Sequence, residues 1–282
     1  MSPCVPIRVL ILDGFSNHDW PRTTRLIHEI LRAAGRFVVT ISTAPETGGA
    51  AGWDKWRPDF SNSDVVLQTC NDYGGGPAWP QEVRRSFDLF VREGGGLYVF
   101  HSANNAFPDW PEYDRMIGLG WRKIEQGSAV SVANDGRLLL FPAGKGAGTG
   151  HAPRREVTVV RRGDHELHRD LPRQWRSPLL EIYQFVRGPA QELEVISFAY
   201  DEPTGMNWPI EWTVRHGQGR IYNSTFGHIW PGDENTEGLR CSGVQTMMVR
   251  ALQWLAGQPV DREVPADFPT STAVSLRPWS DT

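Results

Sequence analysis

The stretch that decides the fold is Ile7-Arg8-Val9-Leu10-Ile11-Leu12-Asp13-Gly14. An apolar run that stops at Asp-Gly predicts a strand covered on both faces, as in a parallel sheet. Outward from it, Pro21 to Ala34 shows helical spacing, with Leu26, Ile27, Ile30 and Leu31 apolar and Gly35 as the stop. Phe37 to Ile41 and Val65 to Gln68 read as the second and third strands. Pro80 to Glu93 reads as a second helix closed by Gly94-Gly95-Gly96, and Leu97 to Phe100 as a fourth strand ending at His101. That order predicts an α/β fold, a parallel sheet with helices on both faces.

The middle of the chain differs. From Trp121 to Arg162 it is Gly-rich and strand-like, and Asn134-Asp135-Gly136 between two alternating runs predicts a hairpin. Glu156 to Val160, Leu179 to Val186 and Leu193 to Ala199 read as strands. Ile210 to Val214 and Arg220 to Phe226 form a second hairpin across His216-Gly217-Gln218-Gly219, and Leu239 to Leu255 reads as the last helix. One domain over 1–262 is expected, with a β-rich insertion at about 121–200 and a surface tail over 263–282.

Composition narrows the function. The chain has 282 residues, 29 Gly and 21 Pro, far above the usual share, which predicts long functional loops. A net charge of −4 argues against nucleic acid or an anionic membrane as partner. Cys4, Cys70 and Cys241 are too scattered for a disulfide framework, and Cys70 reads as a small buried residue. With no signal peptide visible and no apolar window of membrane-spanning length, a cytoplasmic protein is expected.

Ligands of an open parallel sheet bind beyond the carboxyl ends of its strands. The segments there hold Asn17-His18-Asp19-Trp20, Asn71-Asp72-Tyr73-Gly74, His101 to Asn105 and Gly227-His228-Ile229-Trp230. His18, His101 and His228 leave three different strands, so they are expected to converge as acid–base groups or as ligands of a divalent metal such as zinc. Glu181 is a carboxylate in an apolar strand; if it faces the pocket, burial should raise its pKa and suit it to a general-acid role. His151 follows a glycine run and reads as carried on a flap. His28 and His216 read as surface residues, and His165 and His168 as polar-loop residues. Trp-Pro occurs five times, at Trp20, Trp79, Trp110, Trp208 and Trp230. Indoles among Asn, Asp and His suit a sugar. Asn17, His18, Asp19, Asp72, Asn104, Asn105, Trp110, His151 and Trp230 are therefore the expected substrate-binding set. Exposed indoles also suit a subunit interface, which leaves a homo-oligomer open. Neither a phosphate loop nor Gly-x-Gly-x-x-Gly is present, which argues against a nucleotide.

Taken in order, Asn17-His18-Asp19-Trp20, His101-Ser102-Ala103-Asn104-Asn105, Asp109-Trp110-Pro111-Glu112-Tyr113, Gly150-His151, Glu181-Ile182-Tyr183 and Gly227-His228 resemble the ThuA-like (trehalose utilisation) family, over about Arg8 to Gly257. The resemblance implies a flavodoxin-like three-layer sandwich with a mostly parallel sheet, related to class I glutamine amidotransferases. Those enzymes carry a cysteine where this chain has His101, so amidotransfer is not expected. The resemblance further implies breakdown of sugars by way of 3-keto-glycosides. His101 or Glu181 would serve as base, His228 as acid, and a metal or Asn104 and Asn105 would stabilise the enolate. A metal-dependent hydrolase and a non-catalytic sugar-binding accessory protein are the alternatives.

Overall fold

The computed structural model describes residues 5–47, 51–73 and 75–278; Cys4, Gly74 and the end of the expected tail lie outside them. The chain begins β1 (Ile7–Asp13), α1 (Trp20–Ala34), β2 (Phe37–Thr43), β3 (Val65–Gln68), α2 (Gln81–Arg92), β4 (Gly96–Phe100) and α3 (Pro111–Ile117). Asp19 caps α1, accepting from the Arg22 amide at 3.1 Å, and Gly35 ends it at φ 71°. Each helix returns the chain so that the next strand runs the same way, and β2, β1, β3 and β4 pair in parallel.

The second half is built from hairpins: β5 (Ser128–Val132), β6 (Leu138–Phe141), β7 (Gly150–His151), β8 (Arg155–Arg161), β9 (Gln174–Leu180), β10 (Tyr183–Gln184), β11 (Arg187–Gly188), β12 (Leu193–Asp201), β13 (Met206–His216) and β14 (Gly219–Ser224). Both expected hairpins are present, with Val132 opposite Leu138 and His216 opposite Gly219. β14 slots in beside β4 in parallel, and then β13, β12, β8 and β9 extend the sheet antiparallel. The sheet is therefore mixed, which corrects the mostly parallel expectation. Short connections between neighbouring strands in the middle segment force antiparallel pairing, because a parallel pair needs a long crossover.

Side chains of β1 alternate between two cores. Val9 and Ile11 pack with Leu26 and Ile30 of α1, while Leu10 and Leu12 pack with Val83 and Phe87 of α2. Each such buried side chain contributes roughly 1.5–3 kcal/mol. The last helix is interrupted: α4 (Glu237–Arg240) and α5 (Ser242–Leu255) are separated by an extended Cys241, which bridges to Leu276. The described residues after 263 make side-chain contacts of their own. Phe268 packs edge-on against Trp175 at 5.6 Å, and Arg277 is paired with Asp267 at 2.8 Å. Among the described residues no helix is long and apolar enough to cross a membrane.

A further correction bears on function. Leu179 to Val186 is not one strand. Leu179 and Phe185 adopt φ of 43° and 51°, β9 stops at Leu180, and Tyr183 pairs with His151 in a separate two-stranded ribbon. The kinked backbone turns Glu181 out of the ladder.

Candidate functional site

The strand order β2-β1-β3-β4-β14 places a switch between β1 and β3, where the chain leaves β1 in both directions. Crevices form at such points. Four loops meet there. Gly14, at φ 122°, lets the loop after β1 pass Ala44, whose carbonyl oxygen lies 2.0 Å from where a Cβ would stand. The loop after β3 is tied to it, with the Asn71 amide nitrogen donating to Asn17 Oδ1 at 2.7 Å. Asp72 accepts from the Phe107 backbone amide at 2.7 Å and so holds the loop after β4. The loop after β14 is joined to the start of α1 by Asp19 N–H donating to the Ile229 carbonyl at 3.0 Å.

His101 occupies the turn directly after β4 at φ 46° and opens a single 3-10 turn, His101–Asn105. A non-glycine residue there stores roughly 1–3 kcal/mol of strain, the kind of cost retained where a side chain must be aimed. His18, His101 and His228 do converge. Their ring centroids are 4.6–5.0 Å apart, and one nitrogen from each lies within 4.8 Å of the others.

What each ring does with its other nitrogen sets the chemistry. His18 Nδ1 is 2.8 Å from Asn17 Oδ1, which can only accept. His101 Nδ1 is 2.8 Å from the Thr225 carbonyl, and His228 Nδ1 is 3.1 Å from Glu181 Oε2. Each Nδ1 therefore donates its proton outward, which leaves Nε2 as the nitrogen able to bind a ligand. His228 Nε2 is buried without a partner. Burial, with the neighbouring imidazole His228 next in weight, pushes His18 down to about 3 and His101 well below its ordinary value. Both are neutral at pH 7.

Three converging imidazoles, each anchored through Nδ1, are the donor set of a divalent metal such as zinc. Two nitrogens on one zinc ion can be at most about 4.2 Å apart, so the rings would close in slightly around it. Tyr183 O–H, 3.2 Å from His101 Nε2, would have to release that nitrogen.

Glu181 is buried at the edge of the triad. Its Oε1 is 3.0 Å from His151 Nδ1, and its Oε2 is 3.9 Å from His101 Nε2. Burial raises its pKa, but the hydrogen bond from His228 and the surrounding imidazoles outweigh that and hold it below the usual value. This corrects the expected general acid: Glu181 is ionised and suited to act as a base.

A pocket of about 220 Å³ opens over the triad. Of the expected set, Asn17, His18, Asn105, His151, Glu181, His228 and Trp230 line it. His101 packs against the rings of His18 and His228, 2% exposed, without lining the pocket itself. Asp72 lines a neighbouring cleft instead. Three others of the expected residues lie outside this pocket. Asp19 is the α1 cap. Trp110 is buried among Trp79, Phe87, Phe107 and Tyr113, where it packs the start of α3 against α2. Asn104 is buried outside the pocket, with its amide atoms unpartnered. The expected ring of indoles is likewise absent. Trp79 and Trp208 are core residues too, so of the Trp-Pro indoles Trp230 alone lines the pocket. Among the outlying histidines, His216 is buried and bonded to Asp88 at 2.8 Å, and His168 is buried 3.7 Å from Glu211. Neither reading as a surface or polar-loop residue holds. Tyr73, Trp121 and Tyr183 line the pocket without having been expected there. Tyr183 carried one signal, its place two residues after Glu181.

The family model described as trehalose utilisation, ThuA, matches residues 8–255. A ThuA-like protein of Parabacteroides merdae is 32% identical, with a TM-score of 0.89 over 96% of this chain and 98% of that one. A ThuA-like protein of Bacteroides uniformis is 17% identical, with a TM-score of 0.56 over 92% and 97%. A cytoplasmic protein of Salmonella typhimurium is 13% identical, with a TM-score of 0.53 over 88% and 99%. The last two share the fold alone. No curated protein matches the chain. With nearly its whole length matched, the chain belongs to the ThuA family.

Proposed function

We propose that the chain is a carbohydrate-processing enzyme that cleaves or rearranges keto-sugars or glycosides, such as 3-keto-disaccharides, at a divalent-metal site made by His18, His101 and His228. Family membership indicates a carbohydrate-related role. The observation that carries the metal reading is the set of three imidazoles that each bring one nitrogen within 4.8 Å of the others while each Nδ1 is bound outward.

For a 3-keto-glycoside the ketone acidifies the C2 proton. Glu181, ionised and within reach of the triad, takes that proton. The electron pair left on C2 forms the double bond to C1 as the C1–O bond breaks. The departing oxygen collects a proton from His151, the imidazole in the pocket outside the triad, which is half-open to solvent and paired with Glu181. A bound divalent ion would supply Lewis-acid stabilisation of the enolate oxygen. Tyr183, whose pKa burial raises well above its ordinary value, stays a neutral hydrogen-bond donor. Once His101 and His228 hold a metal, their lone pairs are no longer available as base or acid, which is why those roles pass to Glu181 and His151.

The test is metal analysis of unchelated protein together with turnover of a 3-keto-disaccharide. About one equivalent of metal is expected, and both metal and turnover should be lost in His101→Ala and His228→Ala. Full turnover in both variants overturns the proposal. Turnover by metal-free protein that still depends on His101 and His228 returns those residues to the acid–base roles. Sugar binding without turnover leaves an accessory protein.

A further inference from the structure

We infer that the histidine pocket is the inner end of a two-part cleft, and that its outer part is a subsite for the second ring of a neutral glycoside. This rests on the carbohydrate reading above. The pocket over the triad holds about 220 Å³, below the roughly 300–1,000 Å³ usual for small-molecule sites. It has room for the reacting end of a ligand and little more. The adjoining cleft holds about 790 Å³, and Tyr73, Asn105 and Trp121 line both spaces. The two spaces therefore adjoin across these three side chains.

The boundary is chemically prepared. Asn105 is 8% exposed, and its Oδ1 is buried without a hydrogen-bond partner. Buried acceptors are rarely left unpaired, so this oxygen calls for a donor from a ligand, which a hydroxyl supplies. The half-buried Trp121 indole stands beside it, 5.7 Å from both His151 and Tyr183, where a sugar ring can stack.

Charge selects against an anionic ligand. Asp72, Asp109 and Glu125 line the outer part. Arg122 is spent on Asp114 and on the carbonyls of Asn105 and Ala106, at 2.8, 3.1 and 2.7 Å, which leaves Lys123 as the remaining lining cation. Three carboxylates against one lysine suit a polyhydroxyl compound and repel a phosphate or nucleotide.

Gly148 on the outer wall gives a clean test, because a Cβ built there meets nothing within 4 Å. Gly148→Trp should fill the outer part without disturbing the fold. Glu125→Trp, from another exposed point of the wall, repeats the block if the first variant misfolds. Wild type and variants are titrated calorimetrically with methyl 3-keto-glucoside, which has one ring, and with 3-keto-trehalose, which has two. The two-ring sugar should bind wild type at least about tenfold more tightly, and the blocking variant should remove that preference while one-ring binding stays measurable. Equal affinities in wild type, or a preference that survives both blocks, overturn the outer subsite and leave the carbohydrate reading standing. Failure of wild type to bind either sugar overturns both.

Discussion

Asn17→Ala tests the anchoring of the triad without touching a ligand atom. Asn17 Oδ1 holds two donors, His18 Nδ1 at 2.8 Å and Asn71 Nδ2 at 2.7 Å. Removing it leaves the His18 ring free to place its proton on either nitrogen, which costs a factor of about two in the competent tautomer. The ring is also free to turn, and immobilising it again on binding costs roughly 0.5–1.5 kcal/mol. Together these give about 1–2 kcal/mol, a 5- to 30-fold loss of affinity. That overlaps the roughly 10- to 100-fold usual when the outer partner of a metal-binding histidine is removed. The assay is competition for zinc against a chromophoric chelator at pH 7.5. His18→Ala, which deletes the ligand itself, should lose more. Asp19→Ala is the neighbouring control: it should cost about 1 kcal/mol of stability through the lost α1 cap and leave zinc affinity unchanged. Wild-type affinity in Asn17→Ala, alongside a loss in His18→Ala, refutes the anchoring argument. Wild-type affinity in His18→Ala and His101→Ala alike removes the triad as the site.

Two further outcomes follow from the residues under the site. Burial, against weaker help from Thr24 and Thr43, raises the Asp13 pKa, so folding favours its protonated form. Its contribution to stability is therefore full below the unfolded value of about 3.9 and is lost as pH rises through the folded value. The melting temperature of Asp13→Asn minus that of wild type should thus increase between pH 4 and pH 7, and a constant difference contradicts the assignment. Gly14→Ala should destabilise by about 3 kcal/mol or more, through the collision with Ala44 added to strain at positive φ. Gly136→Ala, at φ 86° with open space around it, should cost only about 1–2 kcal/mol in chemical denaturation. Equal losses would show that the approach to Ala44 is not what requires glycine at position 14.

The sequence by itself determined the elements that depend on neighbours within one or two turns. The apolar run of β1, the spacing of Leu26, Ile27, Ile30 and Leu31, and the glycines at 35 and 136 each act locally, and each predicted its element. It also placed His18, His101 and His228 at strand exits, because strand ends are marked in the chain and parallel pairing brings those ends to one edge. Tertiary structure decided the rest. The break that turns Glu181 toward the triad lies at Leu179 and Phe185, ordinary strand formers that stand here at positive φ, which nothing in their own sequence announces. The ionised state of Glu181 comes from His228, 47 positions away, and from His101 and His151, so no reading of its own apolar neighbours could supply the sign. Trp110 and Trp230 share the same Trp-Pro dipeptide, yet one fills the core and the other lines the pocket. Periodicity and turn chemistry are short-range properties, whereas charge state and burial depend on which distant segments the fold packs together.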